Sequence, residues 1–259
     1  MNKTQSQVIT LSSAGASIIS PTKDNFTVYL SPPLEVPNGA RNCYIRVLQS
    51  TVWNSSPNVV DGTNNTLRIR AVNTDPWTDI LIPTGQYAVT DLNSAISREL
   101  ANAGLSGTLI TISGDAATQK VQVTFETTDV QLDFTQVPDF SLREILGFNQ
   151  TVVTGNPTVQ LAPNVAQFNT INAFRIHCDI LDEGISYNGD TDNTIISVPI
   201  LAAPGSQIVY SPFVPTHLNA SRMIGQRIQS VNVYITDEKN EPVIVLEDWS
   251  ILLEINYQY

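Results

Sequence analysis

Apolar and polar residues alternate with a period of two over most of this chain. Phe26, Val28 and Leu30 alternate with Thr27 and Tyr29 in a run that Ser31-Pro32-Pro33 ends. The alternation resumes from Cys43 to Val52, long enough to cross a sandwich, and from Leu67 to Ala71, where Arg68 and Arg70 make a charged outer face. In the last third it returns at Ile171 to Leu181, Thr194 to Leu201, Gln207 to Tyr210, Ile228 to Asp237 and Trp249 to Tyr257. In the final run Trp249, Ile251, Leu253, Ile255 and Tyr257 share a face, and Leu252 alone breaks the rule. The residues Asp237-Glu238-Lys239-Asn240, set between apolar runs, predict a tight turn and a hairpin from Ile228 to Leu246.

Helical spacing appears in one block, Thr84 to Phe148. Leu92, Ile96, Leu100 and Ala103 recur on one helical face, with Thr90 or Asp91 to cap the first turn and Gly104 as a stop. Ser141 and Glu144 have the spacing of a capping box; Leu142, Ile145 and Leu146 make an apolar face, and Gly147 suits a left-handed C-terminus. That face is expected to pack against the sandwich. Between the helices, Leu109 to Ser113 and Val121 to Glu126 flank Gly114-Asp115-Ala116-Ala117 as a hairpin.

Roughly ten strands, Pro and Gly punctuation and no fixed-period repeat predict an all-β fold, a single jelly-roll β-sandwich with two short helices in crossover connections. Residues 1–20, Ser-, Thr- and Gln-rich with a pulse at Val8, Ile9 and Leu11, read as an N-terminal arm that adds an edge strand or lies on a neighbour. Residues 21–259 read as the jelly-roll domain. Asn54 to Asn65 and Asn149 to Asn169 read as loops.

Composition changes this picture in one respect. Apolar residues are 42% and charged residues only 14%, against a usual quarter or so, which suits a surface largely covered by neighbours. The net charge of −11, from 24 acidic and 13 basic residues with no basic run, argues against a grip on nucleic acid. No apolar run approaches the roughly 20 residues of a membrane span, so no membrane insertion is expected. The start, Met1 to Gln7, lacks a secretory apolar core, which points to synthesis in the cytosol.

Candidate chemistry is sparse. Cys43 and Cys178 stand far apart in no metal-ligand spacing and fall on apolar faces, as buried free thiols do. The same alternation turns His177 outward between Arg175 and Asp179; His217 is the other histidine. Asp179, Asp182 and Glu183 are the carboxylates a glycosidase would need, though a solvated strand end explains them more readily. Asp190, Asp192 and Asn193 place oxygen ligands at short spacing in a loop spanning residues 188–193, without the full calcium-loop pattern. No catalytic residue, cofactor or metal site is assigned, and the chain does not read as an enzyme.

The run Ile82-Pro83-Thr84-Gly85-Gln86-Tyr87, then Asp91-Leu92-Asn93-Ser94-Ala95-Ile96, a hairpin, and Ile145-Leu146-Gly147-Phe148 resembles the penton-type minor capsid proteins of virophages and Polinton-like viruses; the Cys178-Asp179-Ile180 strand and the closing strand pair fit the same picture. The resemblance implies a single jelly roll that assembles as a pentamer at each vertex of an icosahedral capsid. It also implies double-jelly-roll major capsid proteins around each vertex and a place in the virion after synthesis in the host cytoplasm. Adenovirus pentons, relatives of that family, carry an Arg-Gly-Asp loop; this chain has Asn188-Gly189-Asp190, so integrin binding is not implied. A carbohydrate-binding jelly roll, with Trp53 and Trp77 as its aromatics, is the alternative, and a glycan-cleaving enzyme explains the carboxylates alone.

Overall fold

The structure is a computed structural model, and it describes residues 4–18, 22–135, 140–181, 184–185 and 192–259. The chain forms two compact units, residues 1–56 with 171–259, and residues 57–170. In chain order the first unit opens with β1 (Thr4–Ser12), β2 (Ser17–Ile18), β3 (Asn25–Glu35) and β4 (Asn42–Trp53). The second unit follows: β5 (Thr66–Arg70), β6 (Thr78–Leu81), α1 (Val89–Asn102), β7 (Ile110–Asp115), β8 (Lys120–Phe125), β9 (Gln131–Asp133), α2 (Arg143–Leu146), β10 (Val152–Thr154) and β11 (Val159–Leu161). The chain then returns to the first unit with β12 (Ala173–Cys178), β13 (Thr194–Pro199), β14 (Gln207–Tyr210), β15 (Leu218–Asn219), β16 (Arg227–Thr236) and β17 (Ser250–Gln258).

The first unit is the expected sandwich. One sheet runs β1-β17-β4-β14, with β15 also on β4; the other runs β13-β12-β16-β3-β2. Leaving aside the short β2 and β15, the strands in chain order interleave between sheets as first, eighth, third, sixth and fifth, fourth, seventh, second. That interleaving is the jelly roll. Alternation builds its core: Cys43, Ile45 and Val47 from β4, Phe174, Ile176 and Cys178 from β12, and Ile251, Leu253, Ile255 and Tyr257 from β17 are all buried. Trp249 meets Phe26 edge-on, ring centroids 4.9 Å apart, and donates its indole N–H to the Lys23 carbonyl at 2.6 Å.

Residues 4–12, within the stretch expected as an arm, form β1, paired with β17 in unbroken register from Thr4–Gln258 to Ser12–Ser250. The expected hairpin to Leu246 does not form. Past Thr236 the chain makes the turn but only an isolated bridge to Pro242, whose missing N–H cannot extend a ladder, and β16 pairs with β12 and β3 instead.

The second unit occupies the crossover from β4 to β12 and has its own sheets, β10-β9-β5-β6 and β11-β8-β7. Both helices lie in that crossover. Leu92, Ala95, Ile96 and Leu100 of α1 are buried, while Ala103 becomes an exposed C-cap. The N-cap is Ala88 rather than Thr90 or Asp91, and Asp91 instead accepts the Ala88 N–H. The face of α2, expected against the sandwich, falls in a core of the second unit. Ile145, Leu146 and Phe148 join a separate core with Leu67, Leu92 and Phe134, and Phe134 and Phe148 stack at 5.5 Å. Gly147 has φ 78°, and a Cβ there would stand 2.5 Å from the Asn164 carbonyl oxygen, so glycine is required. Asn149 to Asn169, read as a loop, contains β10 and β11, short edge strands whose exposed valines hide the alternation.

Candidate assembly surface

Sequence reasoning turned His177 outward; the structure buries it, with 1% of its surface exposed. Arg175 and His177 do project from β12 on the face opposite Phe174, Ile176 and Cys178. That face is covered by Asp192 and Asn193 before β13 and by Asn240 after β16, so β12 is buried on both sides. Arg175 donates to Asp192 Oδ2 at 2.9 Å, to Thr194 Oγ1 at 2.8 Å and to Asn240 Oδ1. His177 Nδ1 lies 3.1 Å from Asp192 Oδ1, Nε2 lies 2.9 Å from Thr236 Oγ1, and the ring is stacked on Tyr234. A carboxylate only accepts, so Nδ1 carries the hydrogen toward Asp192, while the Thr236 hydroxyl beside Nε2 also lies 3.1 Å from the Asp237 carbonyl and has one hydrogen to share between them.

Burial pushes the His177 imidazole below its ordinary value, more than Asp192 raises it. Burial also pushes Asp192 upward, but the Thr194 hydroxyl, His177 and Arg175 outweigh it and hold the carboxyl low. The order Asp192, His177, Thr236 has the look of a relay. With His177 and Thr236 both buried, its geometry fastens residues 192–194 and 236–240 to the sheet.

The other candidates scatter. Asp182, Glu183 and Asp190 lie outside the described residues. Asp179 accepts the Asn232 N–H at 3.0 Å, and of the loop's oxygen ligands Asp192 is paired with Arg175 and Asn193 accepts from the Tyr234 hydroxyl at 2.9 Å, so those that are described are engaged by protein groups. Among the described residues no three His, Cys, Asp or Glu side chains converge as a metal needs, and no helix is long and apolar enough to cross a membrane. Cys43 and Cys178 are both buried, the Cys178 thiol pushed up to about 12 by burial. His217 stacks on Tyr44 at 4.5 Å. Trp53 and Trp77 are half-buried, and Arg70 sits over the Trp77 ring at 4.4 Å.

The polar loop from Asn54 to Asn65, expected at the surface, turns inward. Asn58 donates to the carbonyls of Tyr87 and Phe168 and accepts the Tyr87 N–H, while Asn65 donates to the Ile82 carbonyl at 3.1 Å. Its asparagines satisfy buried backbone, which the polar composition alone does not reveal.

What does stand exposed is apolar. From Asn193 to Ser221 the chain carries no Asp, Glu, Lys or Arg. Within it, Leu201 is 88% exposed in the connection entering β14, Val209 58% on β14 itself, and Phe213 and Val214 are 102% and 74% exposed in the connection leaving it. Pro212 and Pro215 flank that pair and limit its backbone freedom. Such a charge-free stripe along one sheet edge is the composition of an interface centre.

The fold and this stripe together define a jelly roll with a second unit inserted in its third crossover and an apolar edge. No family model and no curated protein sequence matches the chain. Among solved structures it is similar to the mavirus penton protein, at 14% identity over 99% of both chains and a TM-score of 0.48. It is also similar to a chain of the Sputnik virophage structure, at 11% identity over 97% of both and a TM-score of 0.40.

Proposed function

We propose that this chain is a structural virion protein that forms the pentameric vertex, or penton, of an icosahedral capsid, bordered by double-jelly-roll major capsid proteins. The observation that carries this reading is the exposed, charge-free edge from Leu201 through Val209 to Phe213 and Val214. A free monomer gains nothing from holding a Phe fully in water between two prolines. A subunit that meets others does, because a pre-ordered aromatic loses little entropy on burial. A low share of charge and the absence of basic runs accord with a protein that touches other proteins rather than the genome.

Light scattering and electron micrographs of the full chain, alone and co-expressed with its major capsid protein, test it. Five-membered rings, weakened by Phe213→Ser without loss of fold, are expected. Deleting residues 1–20 is not a clean test, because it removes β1 and the buried Leu11. A chain that stays monomeric at high concentration and also fails to enter co-expressed shells would rule the vertex role out.

A further inference from the structure

The sheet containing β1 ends on two unlike edges that match each other. β1 is nine residues long, pairs with β17 without a bulge, and contains no proline and no charged residue. Among the described residues its other side carries no backbone partner. Long edges of this kind are normally blunted by a charge, a proline or a bulge, and an unprotected one is a template for a further strand. The opposite edge carries β14, also uncharged and, among the described residues, paired only with β4, followed along β4 by the short β15.

Every neighbouring pair in β1-β17-β4-β14 is antiparallel, so β1 and β14 run in opposite directions. A second copy that brings its β14 beside β1 therefore continues the ladder antiparallel. Side-chain faces agree as well. Val8 and Val209 are both exposed on the outer face, whereas Ile208 is buried in the sandwich core and Ile9 packs against it.

We propose that β14 of one copy pairs antiparallel with β1 of the next, with Val8 opposite Val209, Ile9 opposite Ile208 and Thr10 opposite Gln207. This rests on the reading of the chain as a ring-forming subunit and names its contact. Two different edges make the contact heterologous, the kind that closes into rings. The connection carrying Phe213 leaves β14 toward the Thr4 end of β1 and adds an aromatic anchor beside the ladder.

Directly opposite residues in an antiparallel pair have Cα atoms about 4.5–5.5 Å apart, within disulfide reach. Mixing full-length Val8→Cys with full-length Val209→Cys under mild oxidation should give a covalent dimer on non-reducing gels. Each variant alone should give none, and the double variant should give a ladder of higher oligomers. Both positions are exposed, so unchanged thermal midpoints serve as the folding control. A covalent dimer from Val8→Cys alone would mean that β1 pairs with β1, and would overturn the proposal. Absence of any cross-link also overturns it: if light scattering still finds rings, only this contact falls, and if the chain is monomeric the vertex reading falls with it.

Discussion

Tyr234 lies flat against His177, ring centroids 4.3 Å apart and planes within 2°. The stack completes the burial of an imidazole already enclosed by Arg175, Asp192 and Thr236, and a pH dependence follows. Burial holds the folded His177 below its ordinary 6.5, so between the folded and unfolded values the unfolded chain binds more protons. Stability is then flat above about pH 6.5 and falls as the pH drops through the folded value. Urea midpoints measured from pH 7.5 downward should show this decline, and His177→Gln should remove it. A midpoint that rises on acidification in the wild type would contradict the assignment.

The Arg175–Asp192 pair is buried, with 4% and 15% of the side chains exposed. Removing one partner leaves the other charged and enclosed, a loss of about 3–5 kcal/mol. Asp192→Ala should therefore lower the chemical-denaturation free energy of the first unit by that order. A loss below about 1 kcal/mol, the range of exposed pairs, would show the enclosure to be incomplete.

In the second unit, Leu146 is fully buried beside Phe134 and Phe148. Leu146→Ala should cost about 2–5 kcal/mol. A thermal midpoint identical to wild type would place the helix outside any core.

Both thiols should be silent in the native state. Cys178 is fully buried with its titration pushed up to about 12, and Cys43 is 3% exposed. A chromogenic disulfide reagent at pH 8 should therefore register no reaction until denaturant is added, then two thiols per chain. Rapid labelling without denaturant would argue against this packing.

Much of this architecture is legible in the chain because strand faces obey a local rule. Alternate residues of a strand point to opposite sides, so Cys43, Ile45 and Val47, or Trp249 through Tyr257, announce a buried face before any partner is known. The left-handed Gly147 is equally local, set by a backbone conformation that few residues adopt, and so is the β7–β8 hairpin, although its turn falls at residues 116–119, after Gly114 has paired with Val121. What alternation cannot state is what lies against the other face. His177 points away from the core as its position in β12 dictates, yet it is buried because Asp192, Asn193, Thr236 and Tyr234, distant in sequence, close over it.

The same limit explains the candidate site. The uncharged run from Asn193 to Ser221 is visible in the sequence, but its residues divide between core, as Ile208, and solvent, as Phe213, only once the sheets are assembled. The second unit was hidden for a related reason: its helices carry apolar faces that fit a sandwich as well as a core of their own. The sequence by itself determined the long strands of the sandwich, the core faces they bury and the scarcity of charge, because each follows from neighbours along the chain, whereas β10 and β11 were not legible in it. The tertiary structure decided which strands became edges, that β1 and β14 end the same sheet in opposite directions, and which polar groups were enclosed. Those depend on contacts between residues far apart in sequence, which no local period encodes.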